Sequence, residues 1–338
     1  DMKKLLFLLF ATSMIAGVWG EDSTQRKLVE AETTVTDSIR ALYDQADSLY
    51  DQGKYGQAKE KMNSAYASFE LLKEKDPDTR VIHLRMLCDI AIAMKKIPDT
   101  IAYANELTTH SVKEEDKAFA LSAIGRAYQE KGELIKAILY FEKSLAIELK
   151  VLGPEHPDVA VSYLDIGWVY SSKGKYDKAI AYFQKSLAID LKTLEPDDSD
   201  LAYTYVNLGS AHDLKGEYGK AIGYYEKSLA IEIKILGQEH INIAYTYSNL
   251  ASAHELNGEY DKAIRLHQKS LAIMRKKLGP RHLEVASAYK NLGKVYAKKG
   301  DKPKAKAFLL QAKAIFVKKL RPKHPDMKRT QALLNKLK

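Results

Sequence analysis

A fixed interval of 42 residues constrains this chain more than any other feature. Lys131-Gly132-Glu133-Leu134-Ile135-Lys136-Ala137-Ile138 returns as Lys173-Gly174-Lys175-Tyr176-Asp177-Lys178-Ala179-Ile180. The pattern recurs around Gly216, Gly258 and, more loosely, Gly300. Self-similarity at such a period marks units that cannot bury their apolar face alone and must stack on their neighbours.

Within each unit the apolar residues fall at helical spacing. Leu121, Ile124, Gly125 and Tyr128 precede the turn glycine, and Ala137, Phe141 and Ser144 follow it. The next unit gives Tyr163, Ile166, Gly167 and Tyr170, then Ala179, Phe183 and Ser186. Two amphipathic helices per unit are implied, with the turn glycine stopping the first. Gly125, Gly167 and Gly209 lie inside helices, where each costs about 1 kcal/mol against alanine, so close packing of paired helices is the expected reason. Nine prolines and eighteen glycines in 338 residues, with Ala, Leu, Lys, Glu and Tyr throughout, agree with an all-α chain.

The extra length of the unit follows its second helix and carries its own signature. It reads Leu152-Gly153-Pro154-Glu155-His156-Pro157, Leu236-Gly237-Gln238-Glu239-His240, Leu278-Gly279-Pro280-Arg281-His282 and Leu320-Arg321-Pro322-Lys323-His324-Pro325. With the Lys-Ser-Leu-Ala-Ile run of the second helices, this resembles the 42-residue tetratricopeptide repeats of kinesin light chains and their bacterial relatives, from about Ala118 to Pro325. The resemblance implies a right-handed superhelical solenoid of helix-turn-helix repeats whose concave groove receives peptide segments of partner proteins. No heptad coiled coil of the kind that joins a light chain to its motor is present, so motor function is not implied.

The expected organisation is a signal peptide over 1–20, a helical region over 21–117, five regular repeats over 118–319 and a basic capping helix over 320–338. Asp44 to Ala67 around Gly53 and Ile82 to Leu107 around Lys96 read as degenerate repeats. Lys3 and Lys4, the apolar run Leu5 to Trp19, and Val18 and Gly20 before Glu21 have the make-up of a cleavable secretory signal. An exported protein of a bacterial envelope, periplasmic or secreted, is therefore expected, with no transmembrane segment after cleavage. Cys88 is the one cysteine, which excludes an intrachain disulfide and a cysteine metal cluster.

At 100° per residue, positions two, six, nine and thirteen of each first helix face away from its core positions. Among these are Arg126, Asp165, Trp168, Tyr203, Asn207, Tyr245, Asn249 and Asn291, the candidate peptide-binding residues. Asn207, Asn249 and Asn291 form a ladder at the repeat interval, and an amide can both donate to and accept from a peptide backbone. Bonding to neighbouring helices within the repeat is the competing role. Trp168, Tyr203 and Tyr245 are either binding anchors or packing residues.

His156, His240, His282 and His324 also recur in register. Zinc needs its nitrogens about 2.1 Å from one ion, whereas equivalent residues of stacked repeats lie at least an interhelical distance of about 8–10 Å apart, so a turn or capping role is expected and no metal. His212, His254 and His267 occupy core positions and read as core histidines with satisfied hydrogen bonds, a pH-sensing role being the alternative. No phosphate-cradling loop, nucleophile elbow or zinc-protease motif is present. A binding protein without cofactor is expected, not an enzyme.

Charge is unevenly spread. From Ala288 onward sixteen Lys or Arg stand against Asp301 and Asp326, while the whole chain carries +9, so the rest is net acidic. Lys294, Lys298, Lys318, Lys319, Arg321 and Arg329 form the candidate patch for an anionic partner. Two functions follow: a scaffold or adaptor gripping peptide segments in the groove, or a module docking on an anionic membrane, glycan or acidic protein through its basic end. No motif specific for nucleic acid accompanies the charge.

Overall fold

A computed structural model describes residues 37–69, 77–321 and 324–337, and the expected signal segment lies outside them. The described residues form helices joined by turns, with no strand. The chain divides into two compact units, Asp1–Gly153 and Pro154–Lys338.

The first unit holds α1 (37–51), α2 (Tyr55–Phe69), α3 (Pro77–Ala93), α4 (Ile97–His110), α5 (Glu114–Glu130) and α6 (Leu134–Val151). The second holds α7 (Pro157–Ser172), α8 (Tyr176–Thr193), α9 (Ser199–Lys215), α10 (Tyr218–Leu236), α11 (Ile241–Leu256), α12 (Tyr260–Leu278), α13 (Leu283–Lys299), α14 (Lys302–Lys319) and α15 (Pro325–Asn335). Within each unit every helix packs on its sequence neighbour. In the second unit α9 also touches α7 and α11, so first helices stack on first helices. The class is all-α, as the repeat implies.

Two devices punctuate the helices. Inside each regular pair a glycine takes a left-handed backbone, as at Gly216 with φ 88°, and the following amide, Glu217 N–H, donates to the His212 carbonyl at 2.9 Å. That satisfies a terminal carbonyl which a continuing helix would have used. Between α3 and α4 the left-handed residue is Lys95, φ 54°, one position before the centre that the spacing suggests. Between the pairs from α7 onward a side chain caps the next first helix. The Nδ1 atoms of His156, His240, His282 and His324 accept the amide two residues on at 3.2–3.3 Å. Asp198 serves the same turn in the third repeat at 2.8 Å. The recurring histidines are thus helix N-caps.

The helix glycines are explained by what faces them. A Cβ on Gly125, Gly167 or Gly209 would stand 2.6–2.8 Å from the ring of Phe141, Phe183 or Tyr225, and one on Gly293 would stand 2.6 Å from Leu309. Each pair of helices closes on that contact, with the aromatic fully buried. In the fourth repeat the same two positions hold Ala251 and His267, a larger residue and a smaller ring, both buried. Buried serines add a second tie: Ser144 and Ser270 donate to the Ala118 and Ala244 carbonyls of the partner helix at 2.6 Å.

The last helix, expected from the sequence to be a basic cap, keeps the register of the repeats. His324 stands 42 residues after His282, and Thr330 is buried at the register of Ala288, so α15 is the first helix of a sixth repeat. Where earlier repeats present apolar positions to a second helix, α15 presents Gln331 and Asn335, whose amides bond each other at 2.8 Å. That face is polar and needs no second helix upon it.

Candidate functional site

The outward positions of the first helices build one wall in each unit. In the first unit the wall is largely closed. Ala123, expected to face outward, is 1 % exposed because α3 lies against α5 there, packing Val81, Leu84 and Cys88 with Ala120 and Ala123. Arg85 covers the Phe119 ring at 4.6 Å and pairs with the buried Asp116 at 2.8 Å. Arg126 is partly buried, and its charge opposes the burial that raises the Asp89 carboxyl pKa above its ordinary value.

The second unit differs. Val161, Trp168, Tyr203, Leu214, Tyr245 and Leu256 are exposed on α7, α9 and α11, with Tyr203 at 55 % and Leu214 at 53 %. Large apolar side chains therefore recur where a merely solvated helix would carry charge. Asp165 sits half-buried between the Val161 and Trp168 positions and already has an internal partner.

Tyr203, Tyr245 and Asn249 come together. They line a groove of about 440 Å³ between α9 and α11, closed on one side by Ile235 and Leu236 at the end of α10. The groove also carries Asp200 and Glu232, and burial raises the Glu232 carboxyl while a hydrogen bond from the Thr246 hydroxyl opposes the rise. Burial likewise raises the Tyr245 phenol. The asparagine ladder is not uniform. Asn207 donates to the Tyr203 carbonyl of its own helix at 3.1 Å, whereas Asn249 and Asn291 line two different grooves.

The candidate cations also separate. Lys294 and Lys298 both reach Glu255, 2 % exposed on α11, at 3.0 and 2.8 Å. Lys318 and Lys319 lie exposed in the last turn of α14, with Arg321 beyond it, where they complement the negative helix end. Arg329 instead lines a groove of about 400 Å³, together with Leu333 of α15, Lys336 at its C-cap and Lys290, Asn291 and Lys294 of α13. Lys290 is tied to Asp326.

Several buried polar groups were not singled out from the sequence. Asp190, at the end of α8, accepts from Thr204 at 2.7 Å and Ser186 at 3.4 Å, linking one repeat to the next. Glu232 and Thr246 repeat that link 42 residues on, which is the signal that could have revealed it. Burial raises the Asp190 carboxyl, with the two hydroxyls pulling it back. Of the core histidines, His212 bonds Glu217 at 2.7 Å and His254 pairs with Glu259 at 3.3 Å. His267 departs from the expectation: it is 1 % exposed, neither ring nitrogen has a hydrogen-bond partner, and burial pulls its pKa down to about 4. Among the described residues no group of three side chains could hold a metal ion, and no helix is long and apolar enough to cross a membrane.

The sequence matches the tetratricopeptide repeat family over residues 116–192, 172–234 and 242–316, together more than half of the chain. The chain belongs to the tetratricopeptide repeat family. Among solved structures, a Podosopora anserina putative kinesin light chain with nearly identical TPR-like repeats is 26 % identical, TM-score 0.56, over 62 % of this chain and 98 % of its own. The apo form of RapI is similar in fold, TM-score 0.70 at 16 % identity, over 87 % of this chain and 79 % of its own. So is a Rap protein complexed with Competence and Sporulation Factor, TM-score 0.58 at 15 % identity, over 89 % and 80 %. A search of curated proteins gave no match. The repeats of this chain recur every 42 residues, and its putative kinesin light chain neighbour has TPR-like repeats.

Proposed function

We propose that the protein is a non-enzymatic scaffold that holds extended peptide segments of partner proteins on the wall formed by α7, α9, α11 and α13. The observation that carries this reading is the run of exposed Trp168, Tyr203, Leu214, Tyr245 and Leu256 beside a groove that Asn249 lines. Aromatic side chains offer large contact area at small entropic cost, and the amide can pair with a backbone in either direction. The Rap protein complexed with Competence and Sporulation Factor supports the reading at the level of fold. The signal-like make-up of residues 1–20 supports a bacterial envelope, periplasmic or secreted, as the setting of the proposed scaffold.

A displayed library of linear peptides tests the proposal. Peptides selected on the whole protein lose binding to a Tyr203→Ala, Tyr245→Ala, Asn249→Ala variant whose helical circular dichroism is unchanged. Equal binding by the variant removes the wall from the account. The second reading, docking on an anionic surface through the basic end, draws on exposed Lys318, Lys319 and Arg321. Steep loss of binding with salt favours it, and modest salt dependence favours the wall.

A further inference from the structure

The second helix of the fifth repeat, α14, is apolar on two sides. It turns Leu309, Ala312 and Phe316 into the core. On the side away from the core Ala307, Leu310, Ala314 and Val317 are exposed, Leu310 at 48 % and Val317 at 56 %. At 100° per residue these four fall within about 80° of one another, a stripe running three turns along the helix. At the register of Leu310 the four earlier second helices hold Glu142, Gln184, Glu226 and Gln268, so none of them carries the stripe unbroken.

Cations border the stripe on both sides. From Lys302 to Pro325 the chain has no Asp or Glu. Lys302 and Lys306, on one border, are exposed where the preceding repeat has Tyr260 and the buried Ile264. Lys318, on the other border, ends a series. Lys192, Lys234 and Lys276, at successive intervals before it, pair with Glu155, Asp197 and Glu239. The next position in that carboxylate series holds Arg281, so the ladder of ion pairs stops and a cation replaces the partner of Lys318. Among the described residues Lys302, Lys306 and Lys318 are in no ion pair.

We infer that the outward face of α14 docks the protein on an anionic phospholipid surface, with Leu310 and Val317 entering the boundary between headgroups and acyl chains and Lys302, Lys306 and Lys318 meeting the phosphates. The inference rests on the second reading above, whose partner it names. An apolar stripe edged by lysines is the pattern of a helix lying in that boundary. A soluble polyanion satisfies the lysines and leaves Leu310 and Val317 in water, whereas a lipid surface covers both at once.

The test uses the processed chain from Glu21, which keeps every described residue, in co-sedimentation with vesicles. The parent should bind vesicles containing phosphatidylglycerol about a hundredfold more tightly than vesicles of phosphatidylcholine alone, each of the three lysines contributing about fivefold. A Lys302→Gln, Lys306→Gln, Lys318→Gln variant should lose that preference. A Leu310→Gln, Val317→Gln variant, with every charge retained, should bind the anionic vesicles about tenfold more weakly. All five side chains are exposed, and unchanged circular dichroism checks that both variants fold. Equal binding of the two kinds of vesicle by the parent, or undiminished binding of the anionic ones by either variant, overturns the inference. Heparin or polyglutamate forms a further arm. Binding of that polyanion without binding of vesicles overturns the membrane partner and leaves the basic end as a docking site, while binding of neither overturns that second reading as well and leaves the aromatic wall standing.

Discussion

His267 offers a pH test of how the repeats pack. In its register the first three repeats place Phe141, Phe183 and Tyr225 against glycine, whereas in this repeat the glycine position is held by Ala251 and the ring position by an imidazole. Glu255, whose charge favours the protonated ring, and Lys294, whose charge opposes it, act on the site, and burial, with Lys294 on its side, outweighs Glu255 and holds the pKa at about 4 against an ordinary 6.5. A folded-state value below the unfolded one means that the unfolded chain binds the proton first. Stability from this group is therefore complete above 6.5 and falls as pH drops from 6.5 towards 4. Between pH 7 and pH 5 the loss works out at about 2 kcal/mol. His267→Phe alone restores the ring of the other repeats against an alanine Cβ, and overpacking of this kind costs about 1–3 kcal/mol. Adding Ala251→Gly relieves the clash. Urea unfolding of parent, single and double variants at pH 7 and pH 5 checks this. The double variant should be free of the His267 loss, so its advantage over the parent grows by about 2 kcal/mol on acidification. Parallel pH dependences of parent and double variant would refute the buried neutral imidazole.

Other substitutions probe the same construction. Gly167→Ala puts a Cβ 2.6 Å from Phe183 and should destabilise by about 1–2 kcal/mol despite its better helix propensity, whereas Gly223→Ala, with nothing within 4 Å, should stabilise by up to about 1 kcal/mol; thermal denaturation compares them. His282→Ala removes the α13 cap at a cost of about 1 kcal/mol, and His282→Asp should restore it as Asp198 does for α9, both read from urea midpoints. The Asp190 carboxyl is raised above its ordinary 3.8 by burial, so the native state holds its proton longer and the parent loses stability as pH climbs past that value. Asp190→Asn lacks this dependence and should gain on the parent between about pH 4 and neutrality; a constant difference in urea midpoint would contradict it.

Much of the fold was legible because the interval repeats both halves of each contact. Gly125 and Phe141, Gly167 and Phe183, and Gly209 and Tyr225 advance together, so pairing follows from spacing alone. The recurring histidines announced a turn role for the same reason. What escaped was set by groups that do not repeat. Lys294 and Lys298 stand where the preceding repeat has Ser252 and Leu256, and only their approach from α13 to α11 brings them onto Glu255. Ala123 was expected outward because helical phase says nothing about a neighbouring helix, and α3 covers it. Asn207 satisfies itself on its own helix, a choice of rotamer that residue type leaves open. The groove of Arg329 depends on α15 continuing the register of a first helix, visible in His324 but masked by the polar Gln331 and Asn335.

Site-specific photo-crosslinking tests the central claim most directly. Benzoylphenylalanine replaces Tyr203, Tyr245 or, as a control, the exposed Ala272 on a second helix, in the presence of a library-selected peptide. The wall account predicts peptide adducts at the first two positions and none at the third. Adducts at Ala272 alone, or an equal yield at all three, would contradict it.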